Sequence, residues 1–532
     1  MRIGVAMSGG GHRATAWGAG TILALSDAGL GPDISSVSSV SGGSITNGVV
    51  AHDVDLGVDP PDAVEASLGR LLRHLTGEGL FWFGPPTDGW LRGFLAAAVL
   101  AVGSLIGLMA AFLLAGREVA PWWLLLLGVF GVALGLAAQK KLGTSGMPTS
   151  LRRWLVLMLA LIGVPAAALT AVTTWAHGWW LAVAAAVAAV LAGLAVWGFL
   201  RLFGGRGDMV ARGLAAVHFS KQGTEAVLRD VDHASVHHVF CATDLQSGDA
   251  VYFTPRVVAG YRIGFGTPGD LSLAVAVQCS ACLPGAFPPR VLDNSGNHRF
   301  NLQRDYDKTR PGFPGPVERL VVNDGGVYDN MADQWEQGFR DRAGREGSPL
   351  QAAEAADLLV VVNAGKSAGW TEWRAGRLLS DVPGLTRTID ILYDVSTSHR
   401  RKRFVSSADI AGSGSGGRGT LVHITTNPLA VIGRFAARGD DGQKARAAAA
   451  RRIVLDVAGD DEWDTAADKN ASVKTTLGRL SVEDVARLVW HAYVLTWIGL
   501  WVVHDVGGAP DPARLSLDRF RQLARPDADN AP

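Results

Sequence analysis

The chain has 532 residues, room for two or three ordinary domains and a sizeable core. Its 49 Lys and Arg balance 49 Asp and Glu, which removes the broad basic footprint of a nucleic-acid binder, while 48% apolar against 18% charged residues places part of the protein in lipid. The three cysteines, Cys241, Cys279 and Cys282, are too few for a disulfide framework and suit a reducing compartment.

The N-terminus lacks the basic region, long apolar run and cleavage site of a secretory signal. It opens instead on a short apolar run, Arg2 to Ser8, with the length of a buried strand. The loop Met7-Ser8-Gly9-Gly10-Gly11-His12-Arg13 follows, before a helical pattern over Thr15 to Ala28. Consecutive glycines let successive N–H groups turn toward one point at a helix N-terminus, where negative charge is stabilised. A phosphate loop would look similar, but neither the Walker spacing nor GxGxxG is present.

A second apolar run, Ile34 to Val40, leads into Ser39-Val40-Ser41-Gly42-Gly43-Ser44. A nucleophile elbow needs small residues two before and two after its serine, because the strained turn brings their backbones against neighbouring elements. Gly43 meets that rule, Ser39 stands where the first glycine is usual, and Ser41 alone has the elbow spacing. The helical pattern Ala63 to His74 comes next.

Four uncharged runs then occupy residues 94–115, 121–138, 154–175 and 178–200, each about 18 to 23 residues, enough to cross a hydrocarbon core roughly 30 Å thick. Arg92, Lys140, Lys141, Arg152, Arg153, Arg201 and Arg206 flank them on one side and Arg117 on the other, so the segments before and after share the cytoplasm. Trp122, Trp123, Trp175, Trp179 and Trp180 gather at the far interface as an aromatic belt. No Asp, Glu, Lys or Arg lies inside any run, which disfavours a channel or transporter.

Beyond the insertion come a helical pattern over Met209 to Lys221 and strand-like runs His238 to Thr243, Arg319 to Asn323 and Leu358 to Asn363. That alternation predicts a layered α/β domain with a largely parallel sheet. His233, His237 and His238 lack the accompanying spacing of a metal site, and Cys279 and Cys282 form a CxxC with no second ligand pair. Asn294 to Pro316 is a long polar loop suited to a lid. Val321-Val322-Asn323-Asp324-Gly325-Gly326 then presents a carboxylate at a strand exit, where it can serve as base to a hydroxyl. The basic run His399 to Arg403 reads as a solvated helix end or an anionic-headgroup contact, and Tyr493 to Val503 as apolar packing too short to span.

Taken together and in order, the GGGxR loop, the Ser41 elbow and the Asp324 DGG resemble the patatin-like phospholipase family. Cys241-Ala242-Thr243-Asp244-Leu245, Ser280-Ala281-Cys282-Leu283-Pro284 and Thr475-Thr476-Leu477-Gly478-Arg479-Leu480 resemble it as well. The resemblance covers roughly residues 1 to 52 and 205 to 505. It implies a three-layer α/β/α fold; the apolar runs add a four-helix transmembrane bundle that interrupts it, with catalytic portions at 1–91 and 204–532 around an inserted 92–203. It also implies hydrolysis of lipid acyl esters without metal or other cofactor: Ser41 as nucleophile, Asp324 as base, Gly9, Gly10 and Gly11 as oxyanion donors, Arg13 bracing their loop, and Ser39, Gly42 and Gly43 shaping the elbow. His12 holds a position usually free in the family. Membrane lipids are the expected partners and substrates of this multi-pass protein. The rival expectation is a catalytically silent membrane scaffold that binds lipid or protein, with Ser39 as the feature in its favour.

Overall fold

The computed structural model describes residues 1–77, 79, 204–260, 262–294, 300, 302, 318–339, 356–365, 369, 381–410 and 418–526. The chain divides into two compact units, Met1–Gly79 with Leu214–Pro532, and Leu80–Gly213. The four apolar runs at 94–200 and most of the polar loop Asn294 to Pro316 lie outside the described residues.

The first unit is a mixed α/β structure built on one central sheet. Its strands are β1 (Ile3–Met7), β2 (Ile34–Ser39), β3 (His237–Asp244), β4 (Asp249–Phe253), β5 (Val258–Gly260), β6 (Gly264–Gly266), β7 (Arg290–Asp293), β8 (Arg319–Asp324), β9 (Leu358–Asn363) and β10 (Arg418–His423). They run in the order β10-β9-β1-β2-β3-β4-β5-β6, with β8 also paired to β3 and β7 to β8. Runs such as IGVAM and LLVVVN are apolar at nearly every position because this half of the sheet is covered on both faces.

The expectation of a largely parallel sheet is corrected. From β10 to β3 the neighbours are parallel, whereas β3 to β6 and the β8 and β7 pairings are antiparallel. The reason is local: β3 and β4 are joined by Leu245–Gly248, with Gly248 at φ 69°, a turn too short for the crossover that a parallel pair requires. A short apolar run reads the same in either direction, so strand length alone could not separate the two.

Helix α1 (His12–Asp27) is buried along nearly its whole length. It crosses α6 (Val482–Ile498) at Gly20, where a side chain would meet the Val489 carbonyl. Trp17 Nε1 donates to Val422 O at 3.0 Å and Tyr493 Oη to Asp27 Oδ2 at 2.8 Å, tying α1 to β10 and to α6. The other helices used below are α2 (Gly42–Asp53), α3 (Pro61–Gly77), α4 (Leu273–Ser280) and α5 (Asp381–Ile410).

Among the described residues one helix is long and apolar enough to cross a membrane, Val482–Val503, with mean hydropathy 1.3; 94% of its apolar window is buried inside the protein. It is α6 with its following turn, a core helix. The three cysteines are free and buried, and burial first of all pushes the Cys279 and Cys282 thiols up to about 12 and about 11.

Candidate active site

Two strands share one edge of β3 end to end. β2 pairs its lower half and stops at Ser39 opposite Phe240. β8 runs the other way along the upper half and stops at Asp324 opposite Ala242. Their carboxyl ends therefore abut, and the residues that leave them, Ser41 and Asp324, face each other across a gap that the register of β3 dictates. Opposed direction along a shared neighbour is what joins positions so distant in the chain.

The C-terminus of α4 clamps the junction. Ser280 O accepts from Ser41 N at 3.1 Å and from Gly325 N at 3.2 Å, and Cys282 O accepts from Asp324 N at 3.0 Å. Ser280 Oγ donates to Cys241 O at 2.6 Å and lies 2.8 Å from Ser44 Oγ. Sequence reasoning gave Ser280 no role of its own. Its position at a helix end, with both its carbonyl and hydroxyl engaged, is visible only once the strands are paired.

Ser41 has φ 53° and ψ −121°, a conformation that costs a residue with a Cβ about 1–3 kcal/mol. It is the turn from β2 into α2, and the two glycines after it have no room for a side chain: a Cβ at Gly42 would strike Gly11 O, and one at Gly43 would come within 2.8 Å of Met7 and Ser8 carbonyls. Gly42 is also the first residue of α2, so its N–H has no acceptor within the helix, and Ser41 stands at the positive end of that helix as its N-cap.

Ser39 fits the elbow without the usual glycine. Its Oγ donates to Val239 O at 3.0 Å and accepts from Asn47 Nδ2 at 2.9 Å and Ser44 Oγ at 3.0 Å. Asn47 is in turn held by His238 Nδ1 at 2.7 Å. Ser39→Ala is therefore expected to cost about 1–3 kcal/mol in denaturant unfolding, the range for orphaning buried polar partners, while turnover per folded molecule is retained.

Asp324 is buried, with Oδ1 accepting from Gly326 N at 2.8 Å and Oδ2 making no hydrogen bond. Burial raises its carboxyl to about 7; the Gly326 N–H, and then the Ser41 hydroxyl, pull it partly back. The Ser41 contact thus bears on the carboxylate but is looser than a formed bond, as expected of a resting site that tightens around substrate. Gly325 packs so closely on the Cys241 carbonyl that a side chain there is excluded.

The glycine loop lies directly against the elbow, for a Cβ at Gly9 would sit 3.2 Å from Ser41 Cβ. Gly10 and Gly11 have φ 143° and 59°, and among the described residues their N–H groups have no backbone partner. Gly9 departs from expectation: its N–H donates to Asn330 O at 3.1 Å and is not available to an oxyanion. Asn330, six residues past Asp324, carried no pattern that could have flagged it. Its side chain packs against both Gly9 and Gly326, joining the glycine loop to the aspartate loop.

Arg13 lies behind the loop, fully enclosed, with Nε donating to Ala364 O at 3.0 Å and an Nη donating to Val473 O at 2.6 Å. Burial lowers it only to about 10, so it stays cationic. The segment it grips continues into Thr476, whose carbonyl accepts from His12 N at 2.8 Å and abuts Gly11.

The histidines go elsewhere. His12 Nδ1 bonds Gly478 O at 2.9 Å, and its pKa falls to about 3, chiefly through burial, so it anchors that same segment. His233 bonds Ala51 O, His238 bonds Asn47, and His237 stacks on Trp335. The basic run 399–403 lies within the 30-residue helix α5, not at a helix end. Arg400 is turned inward onto Asp329 and Asp333, at 3.5 and 3.1 Å.

No protein-family model and no curated protein sequence matches the chain. Among solved structures it is similar to human GIVD cytosolic phospholipase A2, with a TM-score of 0.42 and 12% identity over 98% of this chain and 60% of that one. It is also similar to VipD from Legionella pneumophila, with a TM-score of 0.26 and 12% identity over all of this chain and 89% of that one. The chain thus spans about 60% of the length of the human phospholipase. Scores this low give neither likeness any bearing on function, and the reading below rests on the geometry of the site.

Proposed function

We propose that this chain is a membrane-anchored serine hydrolase of the patatin-like phospholipase kind, cleaving carboxylic esters of lipids with Ser41 as nucleophile and Asp324 as its base. The observation that carries the reading is the meeting of a strained serine turn with a buried carboxylate whose outer oxygen is unpartnered. Membrane attachment is supported by the four apolar runs of the sequence and their flanking charges.

In the mechanism, Ser41 Oγ attacks the ester carbonyl carbon as its proton passes to Asp324 Oδ2. Negative charge then develops on the carbonyl oxygen. The Gly10 and Gly11 N–H groups, the first amide of α2 and the fixed charge of Arg13 behind the loop favour it there. Collapse breaks the ester bond, and the departing alkoxide takes the proton from Asp324, leaving an acyl-Ser41. Asp324 next withdraws a proton from water as the water oxygen attacks the acyl carbon, and on collapse it returns that proton to Ser41 Oγ as the acyl–serine bond breaks, freeing the carboxylic acid and restoring the dyad. A carboxylate has no tautomer to fix, so no third residue need orient it.

Asp324 acts as a base only when ionised. Turnover of a lipid ester should therefore climb as pH rises through about 7, with the acid limb of kcat/KM set by this group. A limb centred near pH 4, the ordinary carboxyl range, would separate activity from this buried acid. The silent-scaffold reading drew on Ser39, and the hydrogen bonds of that side chain leave it without a supporting observation.

A further inference from the structure

Helix α5 lies along the aspartate loop and meets it at three positions of one face. The edge of the Tyr393 ring packs on Gly326, where a Cβ would come within 2.7 Å of the ring and 2.9 Å of Asp324 Oδ1. One turn on, Thr397 Oγ1 accepts from Asn330 Nδ2 at 3.4 Å and donates to the Tyr393 carbonyl at 2.7 Å. Two turns on, Arg400 reaches Asp329 at 3.5 Å and Asp333 at 3.1 Å. Positions i, i+4 and i+7 fall on one stripe of a helix, so these contacts fix the rotation of α5 and hold its tyrosine beside the dyad.

What stands there is a donor and an acceptor, each without a partner. Tyr393 Oη is buried and makes no hydrogen bond among the described residues; Asp324 Oδ2 makes none either, so the two are not bonded to each other. The carboxylate is still felt at the phenol. Burial, then Asp324, then the Cys282 thiol hold the Tyr393 hydroxyl well above its usual range, which keeps it protonated and leaves it a donor. The thiol is already engaged, with Cys282 Sγ donating to Pro288 O at 3.1 Å. Buried hydroxyls of native proteins are nearly always bonded. An atom that serves both groups must accept from a phenol and exchange a proton with a carboxylate. A protic oxygen does both, and the reaction at Ser41 brings one twice, first the alcohol oxygen of the leaving group and then the oxygen of the attacking water. Asp324 hands its proton to the first and takes one from the second, so both occupy the same place beside it.

We propose that Tyr393 is a further catalytic residue, its hydroxyl donating a hydrogen bond to the leaving alcohol oxygen as the ester bond breaks and to the hydrolytic water as it attacks acyl-Ser41. Tyr393 keeps its own proton throughout, and Asp324 alone transfers one. The inference rests on the hydrolase reading and deepens it by naming the group that holds the leaving oxygen.

The test uses the full-length chain in neutral detergent with the ethyl and p-nitrophenyl esters of one fatty acid, which form the same acyl-enzyme and differ in leaving group. Ethoxide needs a donor to depart; p-nitrophenolate does not. Tyr393→Phe should therefore lower kcat/KM for the ethyl ester by about 10- to 100-fold, the scale of a hydrogen bond to a charged group, and leave the rate of the p-nitrophenolate burst unchanged. The steady state after that burst, limited by attack of water, should slow by a similar factor. A merely structural role would slow both acylations alike, and that result overturns the proposal. The acid limb near pH 7 should stay in place in the variant. A limb displaced to higher pH would show that the phenol bonds Asp324 itself and overturn the leaving-oxygen role. Because the hydroxyl bonds nothing in the resting protein, Tyr393→Phe should melt no lower than the wild type; a lower melting temperature would give it a structural partner and overturn the assignment. A wild type that cleaves neither ester removes the hydrolase reading and this assignment with it, whereas a variant that matches an active wild type on the ethyl ester removes the assignment alone.

Discussion

Ser41→Ala should lower lipid-ester turnover by roughly six orders of magnitude, the scale on which removal of a catalytic serine acts, without loss of fold. The hydroxyl donates no hydrogen bond that the surrounding elements depend on; the backbone N–H at 41 holds the turn, bonded to Ser280 O. The substitution therefore removes chemistry and leaves the junction of β2 and β8 intact. A companion variant probes the turn itself. Ser41→Gly should be as inactive as Ser41→Ala yet more stable than it by about 1 kcal/mol, because glycine adopts φ near 53° without steric penalty. Equal stabilities in denaturant unfolding would mean that the turn stores no strain.

Asp324→Asn carries the second large effect, and its two parts have opposite signs. Turnover should fall by about 10²- to 10⁴-fold, the contribution of a positioned general base, since an amide cannot take the serine proton. Stability should rise, but only at neutral to alkaline pH. The folded carboxyl titrates at about 7, against 3.8 for the ordinary group. A group whose folded pKa is raised lends its full stability below the unfolded value and loses it as pH climbs through the folded one. Above pH 7 the wild type therefore carries a buried charge that the variant lacks, a difference of at most about 4 kcal/mol for a shift near three units. Near pH 4 and below, the two proteins should melt together. Apparent melting temperatures at pH 4 and pH 8.5 check this, and a variant less stable than wild type at pH 8.5 would show that the carboxylate is structural.

Much of this site was readable from the chain because its parts announce themselves locally. Glycines at 9–11, 42–43 and 325–326 sit where a side chain has little room, against neighbouring backbone at 11, 42, 43 and 325 and against side chains at 9, 10 and 326, and runs of glycine flag such places in the sequence. The strand runs were likewise legible, Leu358–Asn363 to the residue, because strands covered on both faces are uniformly apolar. What stayed hidden was relational. The direction of β8 against β3, which brings Asp324 to Ser41, leaves no trace in the run RLVVND itself. The antiparallel half did leave one, the Ser247-Gly248-Asp249 turn signal, which marks a hairpin. The engagement of the Gly9 amide by Asn330, the double role of Ser280 and the inward turn of Arg400 all depend on partners far away in sequence. No period or spacing encodes them.

The most direct test of the whole account is covalent labelling of the purified chain by a fluorophosphonate ester across pH 5 to 9, with the adduct mapped by mass spectrometry. The account predicts a single adduct, on Ser41, formed at a rate that rises through about pH 7 and loses that dependence in Asp324→Asn. An adduct on any other serine, or a rate at Ser41 indifferent to the loss of the Asp324 carboxylate, would contradict it.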